Sequence, residues 1–244
     1  GRVLIEEFLY GLEISIFAFV DGEIVSPMVA ACDYKRVFDG DSGPNTGGMG
    51  AYSPPSDDLW NAEVQRRVRV EIMEPIARAM AGEGYPYTGA LYAGLMMTKD
   101  GPKVIEFNCR LGDPEAQVIL PRLRSDLLDA MMATAHSELR NVSLEWDPRV
   151  CVGIVLASGG YPGEYEIGHP IQGIDDVDGD VTVFHAGTLA PDQGLNTLVS
   201  NGGRVVTISA LGDTYEEARC SAYDNVARVR FDGAFYRKDI ALIN

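Results

Sequence analysis

The sequence predicts a mixed fold, α/β or α+β, with a substantial share of antiparallel sheet. Three observations lead to this prediction. Apolar, β-rich runs occur in pairs separated by short turns, first at residues 12–20 and 24–31. Helical periodicity returns between such pairs, first over residues 57–82. The chain has 244 residues, of which 46% are hydrophobic, enough for one large domain or two ordinary ones.

Two hairpins are predicted in the first half of the chain. Asp21-Gly22 lies between the first two apolar runs, and such a pair is a strong short-range hairpin signal. A second pair of strands, 89–98 and 103–109, is predicted on either side of Lys99-Asp100-Gly101. The segment before the first hairpin is expected to be a strand that is already under way at residue 3.

Helical periodicity fills the segments between and after these hairpins. Ser56 is expected to cap the helix over 57–82, and Pro75 is expected to kink or restart it. A helical pattern also follows from Pro114 to about residue 140. Asp113 is the expected N-cap of this second helix, because a proline suits the first helical position.

A polar stretch at residues 143–148 comes before a new β-rich run. The sequence therefore predicts two domains, 1–148 and 149–244. Thr214 and Glu217 have capping-box spacing at the start of the last predicted helix. The elements predicted for the second domain are strands at 150–157, near 181–187 and at 203–211, and a helix from about 214 to 229.

The chain is strongly acidic, with 20 Lys and Arg against 36 Asp and Glu and a net charge of −16. This balance argues against a nucleic-acid partner but not against a nucleotide. The four cysteines show no CxxC spacing, and no apolar run approaches the roughly 20 residues that span a membrane. We expect a cytoplasmic protein with no membrane partner. The start without Met suggests a piece of a longer polypeptide.

The strand predicted at 103–109 carries polar residues at alternating positions. Glu106 and Asn108 are expected on one face, roughly 7 Å apart at their Cα atoms, with Phe107 and Cys109 packed on the other. Magnesium is usually held by one or two protein oxygens, with phosphates and waters completing its octahedron, so this pair suits it. Taken alone, a solvated strand face is the commoner explanation of such alternation.

Four further charged residues have side chains that suit the binding of a nucleotide or another anion-bearing ligand. Arg110 ends the predicted strand, and its guanidinium suits a carboxylate or phosphate; the alternative is a surface ion pair. Glu6 and Glu7 lie in an apolar run, and Glu13 follows shortly after. Such carboxylates and nearby backbone groups can bind an adenine edge and ribose hydroxyls, and the alternative is surface charge on an edge strand.

Residues 32–52 show no periodicity and are expected to form an active-site loop, because long aperiodic segments in compact domains are usually functional or disordered. The segment lacks the Gly-Lys-Ser/Thr of a P-loop and the closing Glu of a calcium loop. Asp33, Lys35 and Arg36 lie at its start. Its glycines would let backbone N–H groups pack closely around a ligand. The scattered histidines receive no role.

Several stretches together resemble the glycinamide ribonucleotide synthetases of the ATP-grasp superfamily. The most specific are GPNTGGMGAY and RLGDPEAQ, joined by IEEFLYGLE, VLASGGYPGEY, SNGGRVVTISALGDT and FDGAFYRKDI. The resemblance covers nearly the whole chain. It implies an α+β ATP-grasp domain followed by a small α/β C-terminal domain. It also implies ATP-dependent ligation of glycine to 5-phosphoribosylamine through glycyl phosphate, which yields glycinamide ribonucleotide, ADP and phosphate in purine biosynthesis.

The resemblance implies roles for the residues that match the family's motifs. The implied ligands of Mg²⁺, or of Mn²⁺, are Glu106 and Asn108. The residues implied to bind ATP are Glu6, Glu7, Leu9 and Glu13. The implied catalytic residues are Arg110 and Lys35. The residues implied to bind substrate are Asp33, Asn45, Gly47 and Gly48.

Two departures from the family pattern shape the expected activity. The family's front domain and a phosphate-contacting lysine precede the matched region, so the chain alone is expected to have little or no ligase activity without that N-terminal part. Some ATP-grasp relatives carry a further metal-binding Asp before the metal-binding Glu. In this chain, Ala93 and Gly94 lie in that region instead. The alternative hypotheses are a non-catalytic nucleotide- or metal-binding fragment that needs a separate partner chain, and another ATP-grasp carboxylate–amine ligase.

Overall fold

The structure, a computed structural model, describes residues 3–190 and 197–243. The chain divides into two compact units. The first comprises Gly1–Ala30, Pro55–Leu111 and Leu128–Val142, and the second comprises Ala31–Pro54, Gly112–Leu127 and Ser143–Asn244.

The described secondary structure alternates strands with short helices. The strands are β1 (Leu12–Asp21), β2 (Ile24–Val25), β3 (Val29–Asp33), β4 (Arg36–Phe38), β5 (Ser42–Asn45), β6 (Gly50–Ser53), β7 (Thr88–Thr98), β8 (Gly101–Asn108), β9 (Val150–Ala157), β10 (Thr182–His185), β11 (Thr188–Leu189), β12 (Val199–Ser200) and β13 (Arg204–Gly212). The α-helices are α1 (Ala62–Val68), α2 (Glu74–Gly82), α3 (Ala116–Ile119), α4 (Leu127–Ala135) and α5 (Tyr215–Val226).

Antiparallel pairing builds the sheet of the first unit. β1 pairs along its whole length with β7, β7 pairs with β8, and β2 pairs with the end of β1. Both hairpins predicted in this half are confirmed. The centre of β1 is buried on both faces from Ile14 to Val20, which explains why its apolar run is nearly continuous rather than alternating.

The first helix of this unit begins later than predicted. The Asn61 side chain accepts hydrogen bonds from the N–H groups of Glu63 and Val64, so Asn61 rather than Ser56 is the N-cap. The restart expected at Pro75 is confirmed. Five residues form a π-helical turn directly after α1, and α2 then begins at Glu74 with this proline as its second residue.

The segment that precedes β1 is not a strand. Residues 3–10 have no regular secondary structure, and Val3, Ile5 and Phe8 are exposed, with Ile5 reaching 90%. The prediction of a strand from residue 3 is therefore wrong. Apolar composition alone does not make a strand, because its N–H and C=O groups need a paired neighbour, and none of the described strands pairs with this segment.

The second unit also contains a run of antiparallel pairs. The strand order is β10–β13–β9–β6–β3, and α5 packs against β9 and β13. β9 is buried at all eight positions. Thr214 caps α5, since its Oγ1 accepts from the N–H of Glu217 over 3.2 Å. The predicted cap of the last helix is thus confirmed.

The segment 32–52 is more regular than its sequence suggested. It contains the β4–β5 hairpin and β6 in addition to the end of β3. Strands this short, most of them with exposed side chains, produce no readable period. β6 is buried throughout because it lies between β3 and β9. Within the described residues, no helix is both long and apolar enough to cross a bilayer.

Replacing Asp147 with asparagine is expected to make the protein less stable near neutral pH, by about 2 kcal/mol, the value of a hydrogen bond to a buried charge. Asp147 is 7% exposed, and Arg149 donates to it from its side chain and its backbone N–H. These bonds hold the pKa of the carboxyl well below its usual range. Below about pH 4, the unfolded chain therefore binds a proton at the Asp147 carboxylate, whereas the folded protein leaves this group charged.

The measurement is urea unfolding of both proteins at several pH values. We expect the difference between them to be full at pH 7 and to shrink as the pH falls below about 4. Asp178→Asn serves as the control, because that carboxylate pairs with Arg228 at an exposed position. It should cause a much smaller loss. A difference for Asp147→Asn that is independent of pH would contradict the assignment.

Candidate functional site

The end of β8 brings the two predicted metal ligands together. A register shift between Gly94 and Leu95 of β7 leaves Ile105 as an extra residue in β8, directly before Glu106. Such bulges often re-aim the side chains that follow them. Beyond the bulge, Nδ2 of Asn108 donates to Oε1 of Glu106 over 2.9 Å. The two side chains therefore lie side by side on one face of the strand.

The donor atoms of this pair fit Mg²⁺. One carboxylate and one side-chain amide offer hard oxygen atoms; Glu106 is exposed and Asn108 is half-buried. Within residues 3–190 and 197–243, no group of three or more His, Cys, Asp and Glu side chains is arranged to hold a metal ion. A magnesium ion held at Glu106 and Asn108 would take its remaining ligands from water or phosphate oxygens, as this ion usually does.

The opposite face of β8 is not packed as expected. Phe107 is 37% exposed and Cys109 is also exposed, so the prediction that both lie in the core is wrong. Side chains on an edge strand have a neighbouring strand on one side only, which leaves more of their surface exposed. β8 is the last strand in its sheet, and β7 is its only partner strand among the described residues.

A cavity of about 420 Å³ lies beside β8 in the first unit. All four residues predicted to bind ATP line it, namely Glu6, Glu7, Leu9 and Glu13. β7 and β8 contribute the other wall, and the residues that complete the lining are Phe8, Met96, Lys103, Val104 and Ile105. Its volume is within the range of small-molecule sites. The structure therefore gathers the predicted ATP-binding residues around one cavity.

Two cations lie on or just after β8. Lys103 lines the cavity, and its Nζ is 2.8 and 2.9 Å from the two carboxylate oxygens of Glu7. Sequence reasoning missed this lysine, although its position at the start of the strand was readable. Arg110 is exposed, and its Nη1 donates to the carbonyl of Leu111 over 3.0 Å. The guanidinium predicted to bind an anion is thus open to solvent.

The remaining predicted residues lie in the second unit. Asp33 and Lys35 are half-buried at and after the end of β3, and Asn45 is exposed at the end of β5. Thr46 donates to the carbonyl of Lys35 from its N–H over 2.7 Å and from Oγ1 over 2.9 Å. This pair of bonds ties the turn that follows β5 to the backbone of Lys35.

The two glycines of this turn serve close packing. The N–H of Gly47 donates to the Tyr161 hydroxyl over 3.0 Å, and that of Gly48 donates to Oγ1 of Thr46 over 2.9 Å. Both groups are therefore engaged within the protein rather than directed at a ligand. Gly48 has a φ of +115°, and a Cβ there would lie 2.3 Å from Cδ of Pro114. Only glycine fits at this position.

Asp113 stabilises a turn rather than capping a helix. α3 begins at Ala116, and its N-cap is Glu115, without a side-chain cap bond. The Asp113 carboxylate instead accepts from Nε2 of Gln117 over 3.1 Å and from Nη1 of Arg204 over 3.0 Å. The predicted N-cap is wrong because these two donors occupy the carboxylate.

The sequence matches two models of one family. Residues 1–116 match "Phosphoribosylglycinamide synthetase, ATP-grasp (A) domain", and residues 151–243 match "Phosphoribosylglycinamide synthetase, C domain". A curated relative named phosphoribosylamine–glycine ligase, from Halalkalibacterium halodurans, is 52% identical over 240 residues, which are 98% of this chain and 54% of the relative. The chain spans about half the length of the curated relatives it matches.

Solved structures give the same result for the fold. A phosphoribosylamine–glycine ligase from Thermotoga maritima superposes with a TM-score of 0.85 at 36% identity, covering 96% of this chain and 56% of that one. A biotin carboxylase domain from Hydrogenobacter thermophilus, solved with MgADP, reaches a TM-score of 0.59 at 14% identity, over 91% of this chain and 46% of that one. The predicted α+β ATP-grasp fold with a following C-terminal domain is confirmed. The chain belongs to the phosphoribosylglycinamide synthetase family.

Proposed function

We propose that the chain is the C-terminal part of an ATP-dependent ligase that joins glycine to 5-phosphoribosylamine. The names of its curated relatives support this reaction. The structural observation that carries the proposal is the Glu106–Asn108 pair, which lies on the same strand as three residues that line the 420 Å³ cavity. Below, the full-length protein means this chain together with the N-terminal half that its curated relatives carry.

The proposed reaction consists of two displacements. A carboxylate oxygen of glycine attacks the γ-phosphorus of ATP, the bond to the β-phosphate oxygen breaks, and ADP leaves. The amine nitrogen of 5-phosphoribosylamine then attacks the acyl carbon of glycyl phosphate, loses a proton, and displaces inorganic phosphate. The products are glycinamide ribonucleotide, ADP and phosphate. Phosphoryl transfer of this kind depends on positioning and charge neutralisation, which explains why no general-base triad is required.

Glu106 and Asn108 are assigned to the divalent cation, Mg²⁺ or Mn²⁺. When bound, such an ion neutralises charge on the transferring phosphoryl group. The two side chains supply a carboxylate and an amide oxygen from one strand face, and the hydrogen bond between them keeps both in place. The MgADP bound by the Hydrogenobacter thermophilus domain supports a magnesium nucleotide here.

The 420 Å³ cavity is assigned to ATP. Glu6 and the backbone of Glu7 and Leu9 would contact the adenine edge, and Glu13 would accept from ribose hydroxyls. The Glu7 side chain is held by Lys103, which leaves its backbone as the part that contacts the base. The apolar residues in the lining, among them Met96 and Ile105, suit a flat aromatic ring.

The residues outside this cavity are assigned to the other reactants. Arg110, exposed after β8, would hold a carboxylate or the transferring phosphoryl group through its planar donors. Lys35 is the second catalytic cation. The substrate-binding residues in the same proposal are Asp33, Asn45, Gly47 and Gly48. Since the N–H groups of the two glycines are already bonded, their contribution would come from the shape of the turn.

The full-length protein is expected to release ADP over many turnovers only when glycine and 5-phosphoribosylamine are both present, as measured in a coupled assay. The 244-residue chain alone should turn over at least about 10²-fold more slowly, since loss of even one preorganised phosphate donor has that effect. ADP release by the full-length protein that does not depend on glycine would sink the proposed function. Normal turnover by the chain alone would refute the assignment of an essential N-terminal part.

One observation favours a second function. Val3, Ile5 and Phe8 are strongly exposed apolar side chains, and monomers seldom expose several such groups together. The chain would then be a non-catalytic nucleotide- or metal-binding fragment that acts with a separate partner chain. Mixing the chain with the N-terminal half as a separate chain tests this alternative, which predicts binding of ATP or Mg²⁺ by the chain without ligase turnover.

Two further assignments accompany the proposed function. We divide the chain at 148/149 into a partial ATP-grasp domain and a C-terminal domain, and the matched ranges 1–116 and 151–243 support that division. We also place the protein in the cytoplasm, as expected for a pathway that consumes soluble phosphorylated sugars. No nucleic-acid partner is proposed, in keeping with the net charge of −16.

A further inference from the structure

Two side chains from the C-terminal domain bond to the turn of residues 46–48. Nη1 of Arg204 lies 2.9 Å from the carbonyl oxygen of Gly47 and 3.4 Å from that of Gly48. The Tyr161 hydroxyl accepts from the N–H of Gly47 over 3.0 Å. The turn is therefore held through both its donor and its acceptor groups. All of these residues belong to the second unit.

Arg204 also connects this turn to the segment that contains RLGDPE. The same Nη1 donates to the carbonyl of Asp113 over 2.8 Å and to its Oδ1 over 3.0 Å. The Arg204 side chain is 22% exposed, but that of Asp113 is 52% exposed, so the ion pair contributes little by itself and the bonds from Arg204 to backbone carbonyls fix its position.

The local backbone explains why Arg204 and Tyr161 reach the turn. β13 begins at Arg204, and a register shift between Arg204 and Val206 marks a β-bulge, a feature that re-aims neighbouring side chains. Directly before it, Gly203 makes room for the Tyr161 ring, since a Cβ there would lie 2.2 Å from Cδ2 of that ring. A Cβ on Gly47 would lie 2.9 Å from Cζ of Arg204. The missing side chains of both glycines allow these contacts.

The turn in its own right positions a predicted catalytic residue. Thr46, next to Gly47, donates twice to the carbonyl of Lys35. Tyr161 and Arg204 thus hold one side of the turn. On the other side, the two hydrogen bonds from Thr46 hold the backbone of Lys35 against the turn. A misplacement of about 1 Å at such a residue can lower a rate roughly 10²-fold.

We propose that Arg204 and Tyr161 are positioning residues, which hold the turn of residues 46–48 and thereby the backbone of Lys35 in the geometry used for ligation. The inference rests on the proposed function in so far as Lys35 takes part in that reaction. It gives a role to the SGGYPGEY and SNGGR stretches of the C-terminal domain. Neither side chain is required to touch a reactant.

The test uses Tyr161→Phe and Arg204→Lys in the full-length protein. Tyr161→Phe removes one oxygen atom, so the fold should survive, and Arg204→Lys keeps the charge but loses the planar fork. We expect kcat to fall about tenfold in Tyr161→Phe, the equivalent of one net hydrogen bond, with the KM for ATP unchanged. Arg204→Lys should retain part of the activity that Arg204→Ala loses.

Two controls and a second readout separate positioning from general stability. Tyr165→Phe alters a neighbouring ring, and Arg228→Ala breaks an exposed ion pair in the same unit; both should leave kcat unchanged. Hydrogen–deuterium exchange of the peptide that covers residues 42–49 should rise in Tyr161→Phe and Arg204→Lys, while the Tm stays within about 2 °C of the unmodified protein.

The outcomes are distinct. A loss of kcat together with faster exchange at 42–49 supports the inference. Unchanged exchange in both variants overturns it, whatever happens to the rate, and so does an unchanged kcat in an active protein. If the unmodified full-length protein shows no ligase activity, the proposed function fails, and exchange at 42–49 alone then decides whether Arg204 and Tyr161 hold the turn.

Discussion

Replacing Glu106 with glutamine in the full-length protein is expected to lower kcat about 10²- to 10³-fold, the range seen when one preorganised electrostatic group is removed. Glutamine has nearly the same size and can still accept from Asn108. The change therefore removes the negative charge while keeping the shape of the strand end. ADP release should be measured over a range of Mg²⁺ concentrations, and the half-saturating concentration of Mg²⁺ should rise.

Asp100→Asn is the matched control for this prediction. Asp100 is an exposed carboxylate in the turn between β7 and β8, so its replacement makes the same change of charge on the same hairpin. Its activity and its response to Mg²⁺ should stay close to those of the unmodified protein. If the Glu106→Gln protein keeps more than half of the original rate at low Mg²⁺, the assignment of Glu106 as a ligand of the metal ion is wrong.

Replacing Arg237 with methionine is expected to cost about 3 kcal/mol of stability, at the lower end of what the loss of one partner of a buried ion pair causes. The Arg237 side chain is 1% exposed, the most enclosed cation among the described residues with an ion pair. Its Nε and Nη2 donate to the two carboxylate oxygens of Asp239 over 2.7 and 2.6 Å. Methionine preserves most of the volume but leaves this carboxylate without its partner.

Arg237 connects the end of the chain to the segment 32–52. Its Nη1 donates to Oδ1 of Asp41 and to the carbonyl of Arg36, and its Cζ lies 4.8 Å from the centre of the Tyr34 ring. Burial alone would raise the pKa of Asp239, but hydrogen bonds from Arg237 and from a backbone N–H outweigh this effect and lower it. The carboxylate is therefore charged in the folded protein at neutral pH and needs its cation.

Thermal unfolding followed by circular dichroism measures the effect of Arg237→Met. A loss of about 3 kcal/mol corresponds to a fall in Tm of roughly 6–12 °C for a chain of this size. Arg228→Ala is the control, because Arg228 makes a comparable bidentate pair with Asp178 at the surface. The double replacement with Asp239→Asn should cost less than the sum of the single ones. Additive losses would show that the two side chains are not coupled.

Much of the site was readable from local pattern. Strand alternation put Glu106 and Asn108 on one face, and the structure shows their side chains in contact. Turn and capping signals predicted the two hairpins of the first unit and the Thr214 cap, because those features depend on residues within a few positions of one another. The family followed from motif stretches that extend over nearly the whole chain.

The predictions that failed share a different physical cause. Asp113 was expected to cap a helix, but Gln117 and Arg204 bind its carboxylate, and Arg204 lies 91 residues further along the chain. Residues 3–10 have the composition of a strand without a described strand partner. The first prediction failed because a side chain from a remote part of the chain binds Asp113. The second failed because no strand in the described part of the chain pairs with residues 3–10.

The sequence by itself determined the local features: which polar side chains share a strand face, which pairs of segments form hairpins, and which family's motifs the chain carries. Only the tertiary structure decided which groups are already engaged. From the sequence, the N–H group of Gly47 was expected to be available to a ligand, but the Tyr161 hydroxyl accepts from it in the fold. A hydrogen-bond partner more than a hundred residues away leaves no periodic signal, because side-chain contacts depend on three-dimensional proximity rather than on spacing along the chain.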